Sequence, residues 1–554
     1  MMPDIFTNCR RVLIWLSGCS ECGPAAYKAI RTIIAEAAQA TDSCRRLNSM
    51  LYDKYGRESY VSVDLRNDVQ LHPLFELFSA TWFGRLWGMY FSCIAEVDDE
   101  IYMELAQAPR EDQSRVGPRD LALGYTKLYG LRCYFSSAVL QEAALPLKAA
   151  VHAGNIEMSL LDVFRAARWI WYGYDTSGCQ IRALRPAVYM WNLVDPEHGR
   201  WRREKVSEFV WLLDSARFYH SYNPHDHIYG LLGLYKLCVS PYAPSSLRPD
   251  YAKDLRQLFR DATRIAIEPA DGRGLACLSE IYHHDYDSAI LPSWVPAWHH
   301  DRNDARDPCI FLPNARTDDG EPARCYSLPA NQDVLGVQGW PVGTVSAVCG
   351  VLETNLFSCP RLLNVLQEVR AFCEDEAAMS SLLMGGVLSQ TDNQIRSSAE
   401  CLAAFEDFEN KLRSGQEPVS RIDDEEIFTG YTGMAFEYLT AMWIACRHRR
   451  CFRTTVGYIG LGPRTTSVGD LATIVHGCYL PIVLAPLASS EMSDQVGSAM
   501  PSASALDTAI VTTEISAQSH YTVRGAAYIH GVMDGELVRK QKARSVEPSV
   551  FYLH

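Results

Sequence analysis

The sequence predicts an α+β protein, mostly helical, whose last hundred residues form a small antiparallel sheet or barrel. Three observations carry this. Runs with apolar residues at i, i+3, i+4 and i+7 fill the middle of the chain, as in LLDVFRAARWIWY at 160–172. Short β-branched runs between glycine and proline turns fill the end, at 453–459, 470–475, 481–486 and 520–529. Near the start, Val12, Leu13, Ile14 and Leu16 make one short buried-strand candidate.

Taken in order, 24–40 reads as a helix with Ala26, Ile30, Ile33, Ile34 and Ala37 on one face. A polar stretch runs to Asn67, and 74–90 is helical again and dense in aromatic residues. The charged, proline-containing 107–116 is a boundary candidate. The run ARFYHSYNPHDHIYGLLGLY at 216–235 has a turn at Pro224 and an N-cap candidate in Asp226. Ile228, Leu231, Leu232 and Tyr235 then fall on one apolar face of a single helix. DLRQLFRDATRIAI at 254–267 continues the helical middle, and 291–307 is irregular. One or two strands are expected over 334–351, followed by helices at 359–377, 397–411 and 428–447. Within the β-rich end, the Ser/Ala-rich 487–518 reads as a mobile insert. Four regions follow: 1–110, 111–333, 334–450 and 451–554.

At 554 residues the chain exceeds one ordinary core, and 48% hydrophobic with 21% charged residues is the composition of a folded globular protein. Sixty-six acidic against 52 basic residues give a net charge of −14, which argues against nucleic acid as the partner. Arg447, Arg449, Arg450 and Arg453 cluster locally and read as a solvated helix end. Eighteen cysteines lack a repeating spacing, and no secretory signal is evident, so the thiols are expected reduced and mostly buried. No apolar run reaches the ~18 residues that span a bilayer. A cytoplasmic protein is expected.

Several constellations could carry chemistry. Cys19 and Cys22 form a lone C-x-x-C, without the second pair that a zinc site of about four ligands requires. His220, His225, Asp226 and His227 are the most ligand-like cluster and the catalytic candidates. His283, His284, Asp285 and Asp287 form a second cluster, and His299, His300 and Asp301 a third. The bland reading has Asp226 capping its helix and the histidines standing in for surface cations. GYIGLGP at 457–463 runs G-x-x-G-x-G into a proline, so it reads as a tight turn between strands and not a dinucleotide loop. No cofactor or metal is expected, and whether the chain is an enzyme stays open.

NPHDHIYGLLGL resembles the D-P-R-D-x-I-Y-A-L-L-G-L signature of the fungal heterokaryon incompatibility (HET) family. Other segments are similar to that family in its order: VLIWLS at 12–17, HPLFELFSATWFGRLWGMYF at 72–91, PDYAKD from 249, LPSWVPAW at 291–298, and the C-terminal YIGLGPRTTSVGDLATIVHGCYLPIVLAP with YTVRGAAYIHGVMDGE. Trp82, Arg85, Trp87, Asp226, Tyr229, Trp294, Asp470 and Asp534 occupy signature positions. Structural roles are expected at Asp470, Gly477, Asp534 and Glu536. Tyr90 and Phe91 replace the family's Gln-Glu.

The resemblance implies an allorecognition and cell-death regulator working through protein partners, with a flavodoxin/TIR-like α/β remnant at the N-terminus. The family's Y-x-A-L-S-Y-x-W-G and W-I-D-x-x-C-I-N-Q segments have no counterpart, so 1–110 reads as a partial HET domain. Some TIR relatives cleave NAD with a glutamate of that sheet. Since the upstream part is lacking, this chain is expected not to hydrolyse NAD. The rival reading is a HET-derived protein repurposed as an accessory protein or enzyme in secondary metabolism.

Overall fold

The computed structural model describes residues 12–16, 26–31, 149–173, 208–217, 221–268, 274–281, 290–299, 315–352, 359–386, 398–487 and 520–554, with short gaps inside these spans. Three sheets, of three, nine and two strands, and a set of helices organise them. β1 (Val12–Leu16) lies parallel to β2 (Ala149–Ala153), and β3 (Ile156–Ser159) returns antiparallel on the other side of β2. Residues 26–31 are helical, with Ala26, Ala29 and Ile30 buried as the apolar spacing predicts. The helix α1 (Leu160–Gly173) follows β3 directly and buries Val163, Phe164, Ala166 and Ala167.

The helical middle holds α2 (Glu208–Ala216), α3 (Asp226–Tyr229), α4 (Leu232–Cys238) and α5 (Leu255–Ile267). α2 is apolar over most of its length, and Phe209 through Leu213 are all buried. Its Phe209 ring meets Tyr235 of α4 edge-on, with centroids 4.8 Å apart. α5 is amphipathic and buries Leu258, Phe259, Ala262, Thr263, Ala266 and Ile267. Burial of side chains as large as Leu258 and Phe259 stabilises the fold by about 1.5–3 kcal/mol each.

The second sheet has nine strands. β4 (Cys325–Leu328) pairs with β5 (Asn331–Val348), and β8 (Arg449–Thr454), β9 (Ile459–Pro463), β10 (Leu471–Val475), β11 (Ile482–Pro486), β12 (His520–Ala526), β13 (Tyr528–Ile529) and β14 (Ser549–Leu553) complete it. β5 is one continuous strand of 18 residues. Its first half pairs with β14 and its second half with β10 and β8. Because β10, β11, β12 and β14 also pair in succession, the five strands close into a ring. All ring pairings are antiparallel except β12 with β14. Gly339 sits where β14 and β10 both meet β5, opposite Ser549 on one edge and Val475 on the other. A Cβ there would lie 2.1 Å from the Ile474 carbonyl oxygen, so the close approach requires glycine.

Alternation along the strands divides the core in two. Val475, Ile482 and Leu484 join the large core shared with the helices, whereas Ile474 and Val483 join a smaller one with Trp340, Val342 and Phe452. The helix α10 (Glu536–Ala543) covers that smaller core with Leu537 and Val538. On the other side lie α6 (Cys359–Phe372), α7 (Glu376–Leu383), α8 (Ser398–Arg413) and α9 (Met434–Cys446), packed through Phe405, Phe408 and Tyr438. A short hairpin, β6 (Ser420–Ile422) with β7 (Glu425–Ile427), precedes α9. Among the described residues no helix is long and apolar enough to cross a membrane.

Several sequence expectations change here. The strand expected at 453–459 is interrupted: 453–454 end β8, 455–458 form the turn of the β8–β9 hairpin, with Gly457 at φ 95°, and Ile459 begins β9. Gly460 and Gly462 lie within β9, where the Phe452 ring occupies the space that a Cβ at Gly460 would need. Arg449, Arg450 and Arg453 lie on β8 and not at a solvated helix end. Arg449 is 2% exposed and donates to the Ala526 carbonyl at 2.8 Å, and Arg450 grips the Cys349 carbonyl. The single signature helix is instead two, α3 and α4, broken at Gly230 and Leu231. Apart from Leu487, the expected mobile insert and the 74–90 helix lie outside the described residues.

Candidate functional site

The signature begins with a turn that Asn223 closes. Its carboxamide oxygen accepts the His225 main-chain N–H at 3.0 Å and lies 2.8 Å from His225 Nδ1, while its carbonyl accepts Asp226 N–H at 2.9 Å. The expected Asp226 cap is therefore corrected. Asp226 is the first helical residue, His225 stands at the N-cap without a side-chain capping bond, and Asn223 does the local work of the turn. Ile228, Leu231, Leu232 and Tyr235 are buried, as the periodicity requires.

The polar face of α3 docks on the turn after Pro249. Tyr229 donates its hydroxyl to the Asp250 carbonyl at 2.9 Å, and Tyr251 donates to Asp226 Oδ1 at 2.7 Å. His225 Nε2 lies 2.7 Å from the Lys253 carbonyl. The rings of His225, Tyr229 and Tyr251 sit mutually 5.4–5.9 Å apart. The bond to Asp226, aided by burial, pushes the Tyr251 hydroxyl up to about 12. The two histidines part company: His225 is half-buried in this cluster, whereas His227, 4% exposed, enters the core. Neither is a simple surface cation.

A second docking follows on α5. Trp294 is fully buried, donates its indole N–H to the Asp333 carbonyl at 2.7 Å and lies under the Arg264 guanidinium at 5.0 Å. Trp298 donates to Thr263 Oγ1 at 2.9 Å. The Asp333 carboxylate takes hydrogen bonds from Arg256 and Arg260. Partial burial works against its charge, but those two arginines outweigh it and hold the carboxyl below its ordinary value. Between the two tryptophan contacts and the α3 cluster, α5 is the common support. Ser293, beside Trp294, accepts the Val523 N–H and donates its own N–H to the His554 carbonyl, tying this segment to the sheet.

The remaining sequence-derived candidates are dispersed. Asp470 is 3% exposed, accepts Ser467 N–H at 2.8 Å and lies 3.5 Å from Arg524 Nε. Burial raises its pKa against those two partners. Asp534 is exposed in a turn with Gly535 at φ 77°, where its N–H meets Glu536 Oε2. His299 is half-buried with its ring against Phe259. His220, Trp82, Arg85, Trp87, the Cys19/Cys22 pair, the cluster at 283–287, His300 and Asp301 lie outside the described residues.

One concave feature was not foreseen from sequence. A pocket of about 510 Å³ is lined by Cys373, Asp375, Arg453, Tyr458 and His530, among others. Its polar groups also hold its walls: Asp375 caps α7 through Ala377 N–H, Arg453 bonds the Phe372 carbonyl, and His530 Nδ1 lies 3.4 Å from the Tyr528 hydroxyl. Spacing could not have found it, because its residues come from three separate stretches. Among the described residues no group of three or more His, Cys, Asp or Glu side chains is arranged to hold a metal ion. What the signature region offers chemically is a positioned aromatic surface, with Tyr251 57% exposed.

No family model matches the chain, and no solved structure matches it. The chain is similar to heterokaryon incompatibility protein 6, OR allele, of Neurospora crassa. Identity is 23% over 386 residues, covering 60% of this chain and 50% of that protein. The chain thus spans about half the length of this relative.

Proposed function

We propose that the protein is a heterokaryon-incompatibility-type regulator of fungal allorecognition and programmed cell death, acting through contacts with a protein partner in the cytoplasm. The similarity to the Neurospora incompatibility protein carries this reading. It is supported by the docking of three signature-like segments, around Tyr229, Tyr251 and Trp294, on or beside one helix. Such mutual packing of distant segments gives a rigid scaffold, and rigid scaffolds carry exposed side chains such as Tyr251 to a partner at low entropic cost. The parallel pairing of β1 with β2 supports the finer inference of an α/β remnant in the N-terminal region.

Forced expression in a fungal host tests the proposal. Growth arrest or death is expected with the full chain and is expected to weaken when Tyr251 is replaced by Ala with folding intact. A host that grows normally at the same protein level would overturn it and favour a repurposed accessory role.

A further inference from the structure

β5 ends at Val348, which pairs with Phe452 of β8. One residue on, Cys349 faces Cys451. Cys349 N–H donates to the Cys451 carbonyl at 2.9 Å, and Cys451 N–H donates to Cys349 Sγ at 3.0 Å. The sulfur thus stands where a main-chain carbonyl accepts in a regular ladder, and the chain bulges before Leu352 rejoins Arg449. Residues facing each other in antiparallel strands have Cα atoms about 4.5–5.5 Å apart, inside the range that a disulfide spans.

The two thiols differ in access. Cys349 is half-buried, while Cys451 is fully buried behind it. Cys349 also lies beside a cation, since Arg450 grips its carbonyl at 3.0 and 2.7 Å. The Cys451 thiol beside it lowers the Cys349 pKa against the opposing effect of burial, while Cys349 and burial together raise that of Cys451. Arg450 adds to the lowering and Glu368, from α6, opposes it. Cys446 and Cys373 also neighbour Cys451, and burial pushes the Cys446 thiol far up.

We propose that Cys349 and Cys451 form a hydroperoxide-responsive dithiol, Cys349 being oxidised first and Cys451 resolving it to a disulfide that joins the end of β5 to β8. The Cys349 thiolate attacks the terminal oxygen of the hydroperoxide, the O–O bond breaks, and an alkoxide or hydroxide leaves. Cys451 sulfur then attacks the sulfenic sulfur, its proton passes to the departing hydroxyl, and water leaves. Two thiols lose two electrons and the peroxide gains them.

The test exposes the full-length protein to a small molar excess of hydrogen peroxide, alkylates it under denaturing conditions and maps its peptides by mass spectrometry. A Cys349–Cys451 linked peptide, two hydrogens lighter than its parts and released by dithiothreitol, is expected. Its formation should outpace oxidation of the buried thiols by about tenfold or more. Cys451→Ser should instead accumulate a dimedone-reactive sulfenic acid at Cys349, and Cys349→Ser should lose both products. Thermal melts check that each variant folds, and the wild-type map decides alone if one does not. The proposal is overturned if other cysteines oxidise while Cys349 and Cys451 stay alkylated, or if Cys451 pairs with Cys446 or Cys373.

Discussion

The Tyr251 hydroxyl donates to the Asp226 carboxylate across 2.7 Å, joining two segments 25 residues apart. A hydrogen bond to a charged acceptor contributes about 1 kcal/mol net at an exposed site. Tyr251→Phe should therefore lower stability by roughly that amount in urea unfolding. A cycle with Asp226→Ala isolates the pair: a coupling energy near zero would show that the two segments are held by the rings and by the bonds of Tyr229 and His225 to main-chain carbonyls.

Asp333 joins α5 to the start of β5 through two arginines. Asp333→Asn keeps the main-chain acceptor used by Trp294 but weakens the bonds to Arg256 and Arg260. All three side chains keep some contact with water, so a modest loss of about 1 kcal/mol is expected. Chemical denaturation reads it directly.

Gly339→Ala is expected to be the most damaging small substitution in the sheet. The added methyl would meet main-chain atoms of β10, which cannot rotate away. A loss of about 3 kcal/mol or more is expected. Unchanged thermal stability of the purified variant would contradict the ring closure at this position.

Acid sensitivity should centre on His476. It is 2% exposed, its ring lies against Trp340 at 4.4 Å, and burial, with Arg324 and Lys542 adding and Glu321 opposing, lowers its pKa to about 4. The unfolded chain takes up this proton near pH 6.5 and the folded protein only near 4. Stability is thus complete above about 6.5 and falls as the pH drops from there toward 4. His476→Phe should remove part of the loss between pH 7.5 and 5, on the order of 2 kcal/mol. Some sensitivity should remain, because His554, beside His520 at 2.6 Å, is lowered to about 4 as well.

The sequence made some of this legible and hid the rest for a physical reason. α5 and β11 lie within a residue of their expected bounds, because Leu258, Phe259, Ala262 and Ala266, or Ile482 through Leu484, record burial in local spacing. Pairing partners leave no such record. Nothing local says that Gly339 must serve two edges, that SVFYL after a charged helix is the strand β14, or that Arg449 is buried by a carbonyl from β12. At the signature, Asn223 and Asp226 are both good turn residues, and only the position of Tyr251 decides which of them the turn keeps.

The rung between β11 and β12 has one more implication. Leu487 N–H donates to the His520 carbonyl at 3.0 Å, so the chain leaves and re-enters the ring at adjoining points. Whatever lies between those residues is tethered at both ends to a site that does not depend on its length. Doubling such a segment costs only about 0.6 kcal/mol in closure entropy. A change in the length of residues 488–519 should therefore leave the register of the ring unchanged.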